Sequence, residues 1–536
     1  MTDLRRAVLG VLAPGFSGPE APAWLLDAAR EGLGGVVLFA GNTPTLASTR
    51  TLTDVLHDAG PQVVVAVDEE GGDVSRLEAA TGSGLPGLAA LGVVDDLDLT
   101  RRTGAALGAL LRSVGIDLDL APVLDVASEP RNPVIGVRSL GGDPALVARH
   151  GAALVEGLHD GGVAACGKHF PGHGATTVDS HLDLPELDAD LETLRARDLP
   201  PFAAAVAAGL DALMTAHVRV PALGPSPASL EPAATALARD LGFTGPLVTD
   251  ALDMGAVARD PGFGEACVRA LEAGADLLCL GTTVGRDDEA LFAQAVAAVT
   301  DAVQAGRLTP DRLHDAAART DALRERVAAY RRRTAALDPA AAVAALAAVG
   351  SETAGRAVTS TGPVGVSTAP VLVDLRRRLN HAAGRTSPAL AEALRRRWPG
   401  TLVVHGYGRT DGPRDGGQDG GVERDPARPV VVLCREPLAD AQEGAALDAV
   451  LAARPDAVVV HAGLAAAAPD ATALVLAHGV GRVNADAVVA LLARGELAGD
   501  VHPGADDARG DGAGADGAGD DGAGAGGSAG TLGGAR

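Results

Sequence analysis

Eight short runs rich in Val, Leu and Ile recur between residues 6 and 281, and longer stretches with helical periodicity separate them. The runs fall at 6–13, 34–41, 62–68, 116–123, 163–170, 212–218, 246–252 and 275–281, with helices such as 100–115 and 144–162 between them. Continuously apolar strands alternating with helices need a parallel sheet covered on both faces. Eight such units predict a (β/α)8 TIM-like barrel. An open doubly wound sheet is the other arrangement the alternation allows, but the G-x-G-x-x-G turn expected after its first strand is absent.

A chain of 536 residues is too long for one core. Helical segments between 284 and 332 end the barrel, so 1–335 reads as a catalytic domain and the Ala-rich 336–360 as a connector. Five further apolar runs, at 364–375, 401–408, 429–436, 456–463 and 471–480, predict a smaller α/β domain over 361–499, sandwich-like with helices on both faces. Gly-rich interruptions near 411–421 and after 499 read as loops. The Gly/Ala/Asp stretch 500–536 has almost no apolar residue larger than Ala and reads as a disordered tail.

Chemistry gathers in the first domain. In a barrel of this kind it collects where strands end, and here the third run ends at Asp68, the fifth reaches Lys168 and His169, the sixth carries His217 and the seventh ends near Asp250. The stretch CGKHFPGHGATTVDSHLDLP (166–185) holds three histidines and Lys168, the only lysine among 45 basic Lys and Arg residues. Ammonium and guanidinium differ in shape and hydration, so Lys168 is expected where a guanidinium will not fit.

His169, His173, Asp179 and His181 could ligate a metal, but no rigid H-E-x-x-H spacing is present, and no metal or other cofactor is expected. PGHGATT lacks the G-K-[ST] of a phosphate loop. Buried histidines satisfying loop backbone are the bland alternative. Acid/base chemistry fits better. Asp179 and His181 lie two residues apart, so an extended chain points both the same way, and the carboxylate can fix the imidazole tautomer. Asp250, ending an apolar strand where ionisation is costly, is the candidate nucleophile. A carboxylate nucleophile, a separate proton donor and a shell of Asp, Arg, Lys and His suggest glycosyl transfer through a glycosyl-enzyme. A histidine acid departs from the usual pair of carboxylates.

Five segments, DEEGGDVSRL (68–77), DLAPVLDV (119–126), NPVIGVRS (132–139), KHFPGHGATTVDSH (168–181) and VTDALDM (248–254), together resemble the family 3 glycoside hydrolases, in their β-N-acetylglucosaminidase branch and two-domain form. The resemblance spans about residues 5 to 332. It implies that Asp250 is the nucleophile, His181 the general acid/base and Asp179 its partner. It also implies that Asp68, Arg76, Arg138, Lys168 and His169 bind the terminal N-acetylglucosamine. Glu69 stands where the family often has Gln. His173 and His217 receive no catalytic role.

The function so implied is a retaining exo-β-N-acetylglucosaminidase acting on terminal N-acetylglucosamine glycosides, muropeptide fragments among them, in peptidoglycan and amino-sugar recycling. Scarce aromatics, at 2% of the chain, suit a polar pocket for one sugar better than a long polysaccharide cleft. One rival is a β-glycoside phosphorylase that takes phosphate as acceptor; another is a non-catalytic sugar-binding barrel. A net charge of −24 argues against nucleic acid and anionic membranes as partners. Four scattered cysteines, without C-x-x-C spacing, and an N-terminus without a signal-peptide apolar core lead to an expected cytoplasmic location.

Overall fold

The computed structural model describes residues 2–181, 183–281, 286–377, 387–406 and 427–495. The expected tail at 500–536 and the Gly-rich interruption at 411–421 lie outside them. Eight strands form the first domain: β1 (Leu12–Ala13), β2 (Gly35–Leu38), β3 (Val64–Val67), β4 (Leu118–Asp119), β5 (Ala164–Phe170), β6 (Ala212–Thr215), β7 (Leu247–Thr249) and β8 (Leu278–Cys279). Strands β2 to β7 pair in sequence order and in parallel, and β1 pairs with β8. The Val37 N–H donates to Pro14 O at 3.1 Å, and the Thr249 N–H donates to Leu277 O at 3.1 Å. The parallel sheet thereby curls until its two edges meet, as in a TIM barrel.

One expected strand is largely a helix. The run 6–13 contributes only Leu12 and Ala13 to the sheet, because Thr2–Leu9 is helical. Ala7, Val8 and Leu9 are buried while Asp3, Arg5 and Arg6 face solvent. A short apolar run fits a one-sided helix as well as a strand, and periodicity cannot separate them.

Inside the sheet, small and branched residues such as Ala66, Leu118, Ala164, Cys166 and Ala212 fill the centre. Leu323 and Val327, from the helix Pro310–Arg333, plug the same cluster from the end where the strands begin. Three carboxylates rim that end. Asp117, Asp211 and Asp276 accept the N–H groups of Val65, Ala165 and Leu247, each on the preceding strand or at its start, at 2.9, 3.0 and 3.0 Å. The plug helix meets all three. Arg331 lies 2.9 Å from Asp117 and Arg326 3.0 Å from Asp211, and Arg312 and Arg319 lie 3.2 and 2.9 Å from Asp276.

The Ala-rich stretch read as a connector contains a 19-residue helix, Pro339–Ala357, whose first turn is capped by the Asp338 carboxylate. Its Ala and Gly face packs against the helices Leu97–Ser113 and Arg482–Arg494. At Gly350 the approach is closest, since a Cβ there would stand 1.8 Å from Gly84 O. Gly350→Ala is expected to push the helix off this loop and cost about 1–3 kcal/mol or more, read as a lower urea midpoint at unchanged m-value. A wild-type midpoint would mean that the helix slides freely here.

The second sheet has the order β11-β10-β12-β13-β14-β9, from β9 (Thr359–Thr361), β10 (Val371–Asp374), β11 (Leu402–His405), β12 (Val430–Cys434), β13 (Val458–His461) and β14 (Leu474–Leu476). All pairs are parallel except β14 with β9. Helices Ala389–Arg397 and Arg482–Arg494 cover one face, and Ala441–Ala453 covers the other. The short polar β9 carries no apolar pattern and was not expected as a strand.

Candidate active site

A cleft of about 1210 Å³ opens at the end of the barrel where the strands finish. Asp68, Arg76, Arg138, Lys168, His169, His181 and Asp250 all line it, whereas Asp179 stands behind His181. Residues 68 to 250 are thus drawn together by strand ends and the loops that follow them.

One wall is a buried bank of charge. Lys168 is 1% exposed, and its Nζ lies 2.7 Å from Asp68 Oδ1 and 2.6 Å from Glu70 Oε1. Arg138 donates both arms of its guanidinium to Glu70 at 2.8 Å, and Arg76 reaches Asp68 at 3.5 Å. Burial pushes the Glu70 carboxyl up, but Arg138 and Lys168 outweigh it and hold it far below the usual range. Burial likewise opposes the Lys168 charge, and Asp68 and Glu70 overcome that opposition. Glu70, at the hub, had no role in the sequence reading. Its only sign there was its place between Glu69 and the Gly pair.

Asp125 is the second residue missed. It is fully buried and accepts from His169 Nδ1 at 2.7 Å and from the His173 N–H at 2.7 Å. Burial raises its carboxyl, yet His169 and His173 bring it below the ordinary value. The His169 ring is thereby oriented with Nε2 towards Arg138, 3.5 Å away.

His173 is not a cleft base but a latch. Burial pushes it down to about 4, so the ring is neutral near pH 7. The Thr176 hydroxyl donates to His173 O at 3.0 Å, so His173 Nδ1–H donates back to Thr176 Oγ1 at 2.7 Å, and Nε2 accepts from Ser180 Oγ at 3.1 Å. The latched loop carries Asp179 and His181. Backbone N–H groups of Gly255 and Ala256 donate to His181 O and Ser180 O at 3.3 Å, docking the loop beside Asp250.

Asp179 Oδ1 accepts from both the backbone N–H of His181, at 2.9 Å, and its Nδ1, at 2.8 Å. Asp250 Oδ1 accepts the Ala251 N–H at 2.7 Å. Burial works against the Asp250 charge, but His217, His169 and His181 hold its carboxyl below the usual value. His217 itself bridges Ser229 Oγ, at 2.7 Å, and Ala251 O, at 3.0 Å, which fixes the turn after β7. A fourth cleft carboxyl, Asp253, is pushed by burial to about 6 despite the pull of Arg286. The ring nitrogens of His169 and His173 are hydrogen-bonded to Asp125, Arg138, Thr176 and Ser180. Among the described residues no group of three or more His, Cys, Asp or Glu is arranged to hold a metal.

Glu69 points away from the cleft. Its Oε2 accepts the N–H groups of Arg76 and Leu77 at 2.7 and 2.9 Å, pinning the segment that carries Arg76. Burial pushes its carboxyl up to about 7. A carboxyl raised in the fold binds a proton there that the unfolded chain releases, so stability falls as pH rises from about 4.5 to 7. Glu69→Gln keeps an acceptor and removes the titration. Its melting temperature should match wild type near pH 5 and exceed it near pH 8, by up to about 3 kcal/mol of stability. A difference that is flat with pH would show that Glu69 is already ionised at pH 5.

Residues 20–323 match the glycosyl hydrolase family 3 N-terminal domain. The chain is 33% identical over 324 residues to beta-hexosaminidase A of Pseudoalteromonas piscicida, a match covering 56% of this chain and 54% of that protein, so it spans about half that relative's length. It is 39% identical over 281 residues to a beta-hexosaminidase of Xylella fastidiosa, covering 51% of this chain and 82% of that one. Among solved structures, a family 3 beta-N-acetylglucosaminidase from a Paenibacillus species superposes with TM-score 0.76 at 30% identity, over 92% of this chain and 97% of the other. The second domain is included in that overlap.

Proposed function

The chain belongs to glycosyl hydrolase family 3, and from that premise we propose that it is a retaining exo-acting β-N-acetylglucosaminidase. One observation carries the reading: an ionised carboxylate at the end of β7 and an Asp–His pair on a docked loop face the same cleft, beside a buried bank of sugar-binding charge. Asp250 attacks the anomeric carbon, and His181 gives a proton to the departing oxygen. Asp179 holds the imidazole by Nδ1 and stabilises the imidazolium before transfer. Water, deprotonated by the now neutral His181, then releases the sugar from Asp250 with net retention. Asp68, Arg76, Arg138, Lys168 and His169 grip the terminal N-acetylglucosamine, and the closed charge bank behind them favours one sugar over an internal stretch of polymer.

The substrates proposed are muropeptide and amino-sugar fragments, in peptidoglycan recycling in the cytoplasm. No helix among the described residues is long and apolar enough to cross a membrane. A panel of nitrophenyl β-glycosides, each with and without phosphate, tests the proposal. N-acetylglucosamine released at a phosphate-independent rate is the expected product. Sugar 1-phosphate, or a preference for glucosides, would overturn it.

His181→Ala should slow substrates with poor leaving groups by about 10²- to 10⁴-fold, and activated nitrophenyl glycosides far less. Azide should restore part of the deglycosylation rate. Equal loss on every aglycone would assign His181 to holding the loop.

A further inference from the structure

Asp68, Glu70 and Arg76 lie on one excursion between β3 and the helix Leu88–Val94, and the second domain holds that excursion from outside the cleft. Asp73 is the point of contact, three residues after Glu70 and three before Arg76. Its side chain is 1% exposed, with Oδ2 2.9 Å from a terminal nitrogen of Arg435, which follows β12. Its Oδ1 accepts the Val480 N–H at 2.9 Å. A tight turn links this contact to the cleft: the Glu70 N–H donates to Val74 O at 3.0 Å, and the Val74 N–H donates to Gly71 O at 3.2 Å. Moving Asp73 therefore moves Glu70, which carries Lys168 and Arg138.

The rest of the excursion is held the same way. Gly72 has φ +60°, and a Cβ there would meet the Gly87 backbone at 2.5 Å; a Cβ on Gly87 would in turn approach His478 O of the second domain at 3.1 Å. Arg482 donates to Glu78 Oε1 at 3.1 Å, and Glu78 Oε2 accepts the Gly84 N–H at 2.7 Å. Other links made by the helix Pro339–Ala357, such as Arg102–Glu352, are exposed and far from these residues in the chain.

We propose that the second domain buttresses the sugar pocket from behind its wall, and that Asp73 and Arg435 are positioning residues that set Glu70 and, through it, Lys168 and Arg138. The proposal rests on the reading of Asp68, Glu70 and Arg76 as sugar-holding residues. Neither Asp73 nor Arg435 lines the cleft, so their effect passes through geometry. Removing Arg435 leaves the buried Asp73 carboxylate without its cation, and it will seek water by shifting the loop; Arg435 keeps Glu436, 3.3 Å away, when Asp73 is neutralised, so that variant acts by releasing the loop.

The test measures turnover of nitrophenyl N-acetyl-β-glucosaminide, melting temperature and amide hydrogen exchange in the full chain. The variants are Arg435→Ala, Asp73→Asn, the exchange of charges Asp73→Arg/Arg435→Asp, and Glu352→Ala as control. Asp73→Asn keeps an acceptor for Val480 and so guards against simple unfolding. Both single variants should lower kcat/KM by about 10- to 100-fold, as misplaced binding groups do. Exchange over residues 70–78 should quicken while that over 97–113 stays unchanged. The charge exchange should recover part of the loss, and Glu352→Ala should change neither readout. Turnover within about twofold of wild type in folded Arg435→Ala, or exchange quickened equally over 97–113, would overturn the proposal. If the wild type fails to cleave the glycoside, the functional reading falls, and the exchange data alone decide whether Arg435 holds the loop.

Discussion

Asp250→Asn should abolish turnover, by about 10³-fold or more in kcat, with the fold intact. The substitution is nearly isosteric and keeps an oxygen for the Ala251 N–H, so the turn fixed by His217 has no reason to move. What disappears is the negative charge that His217, His169 and His181 keep ionised against burial. An amide cannot form the glycosyl ester. Asp253 sits close by, but burial raises its carboxyl and Arg286 lies beside it, so it is a poor substitute nucleophile. A 2-fluoro glycoside inactivator followed by peptide mass spectrometry should put the label on the peptide containing Asp250. A label on Asp68, Asp179 or Asp253 would reassign the nucleophile.

Lys168 should give the second largest loss, in stability as well as rate. Lys168→Met removes the ammonium between Asp68 and Glu70 and leaves two carboxylates facing each other, Glu70 buried and Asp68 at the cleft wall. Breaking a buried pair from one side costs about 3–5 kcal/mol, so the melting temperature should drop by many degrees. Lys168→Arg keeps the charge but must fit a planar fork where contacts of 2.7 and 2.6 Å already enclose a single nitrogen. Here kcat/KM should fall by about 10- to 100-fold, with a smaller loss of stability. Kinetics and thermal melting of both variants decide. Near-wild-type turnover in Lys168→Arg would mean that only positive charge is needed.

The candidate site was legible in the sequence where a local feature sufficed to mark it: a lone lysine, a D-S-H triplet and an acid closing an apolar strand, all of which the fold places at or beside one cleft. Glu70 and Asp125 were not legible, because their importance lies in what they face. Glu70 meets Arg138 across 68 residues and Asp125 meets His169 across 44, distances that only the closed sheet brings together. The fold divides in the same way. Alternating runs revealed the strands of both sheets, whereas the first run, half helix, and the polar β9 carried patterns that fit more than one structure.

The basic residues of the plug helix have a consequence for how the chain is made. Arg312, Arg319 and Arg326 recur every seven residues, which brings them to nearly one side of a helix, facing the carboxylates at the starts of β6 and β8. Those carboxylates accept N–H groups of preceding strands that are translated well before the arginines. A nascent barrel ending near residue 300 therefore holds Asp117 and Asp211 without their guanidinium partners and Asp276 with Arg239 alone, in a closing core that penalises the charge. The barrel is therefore expected to gain much of its stability late in synthesis, when the last helix supplies its arginines to the rim; a chain ended near residue 300 should melt well below the full chain.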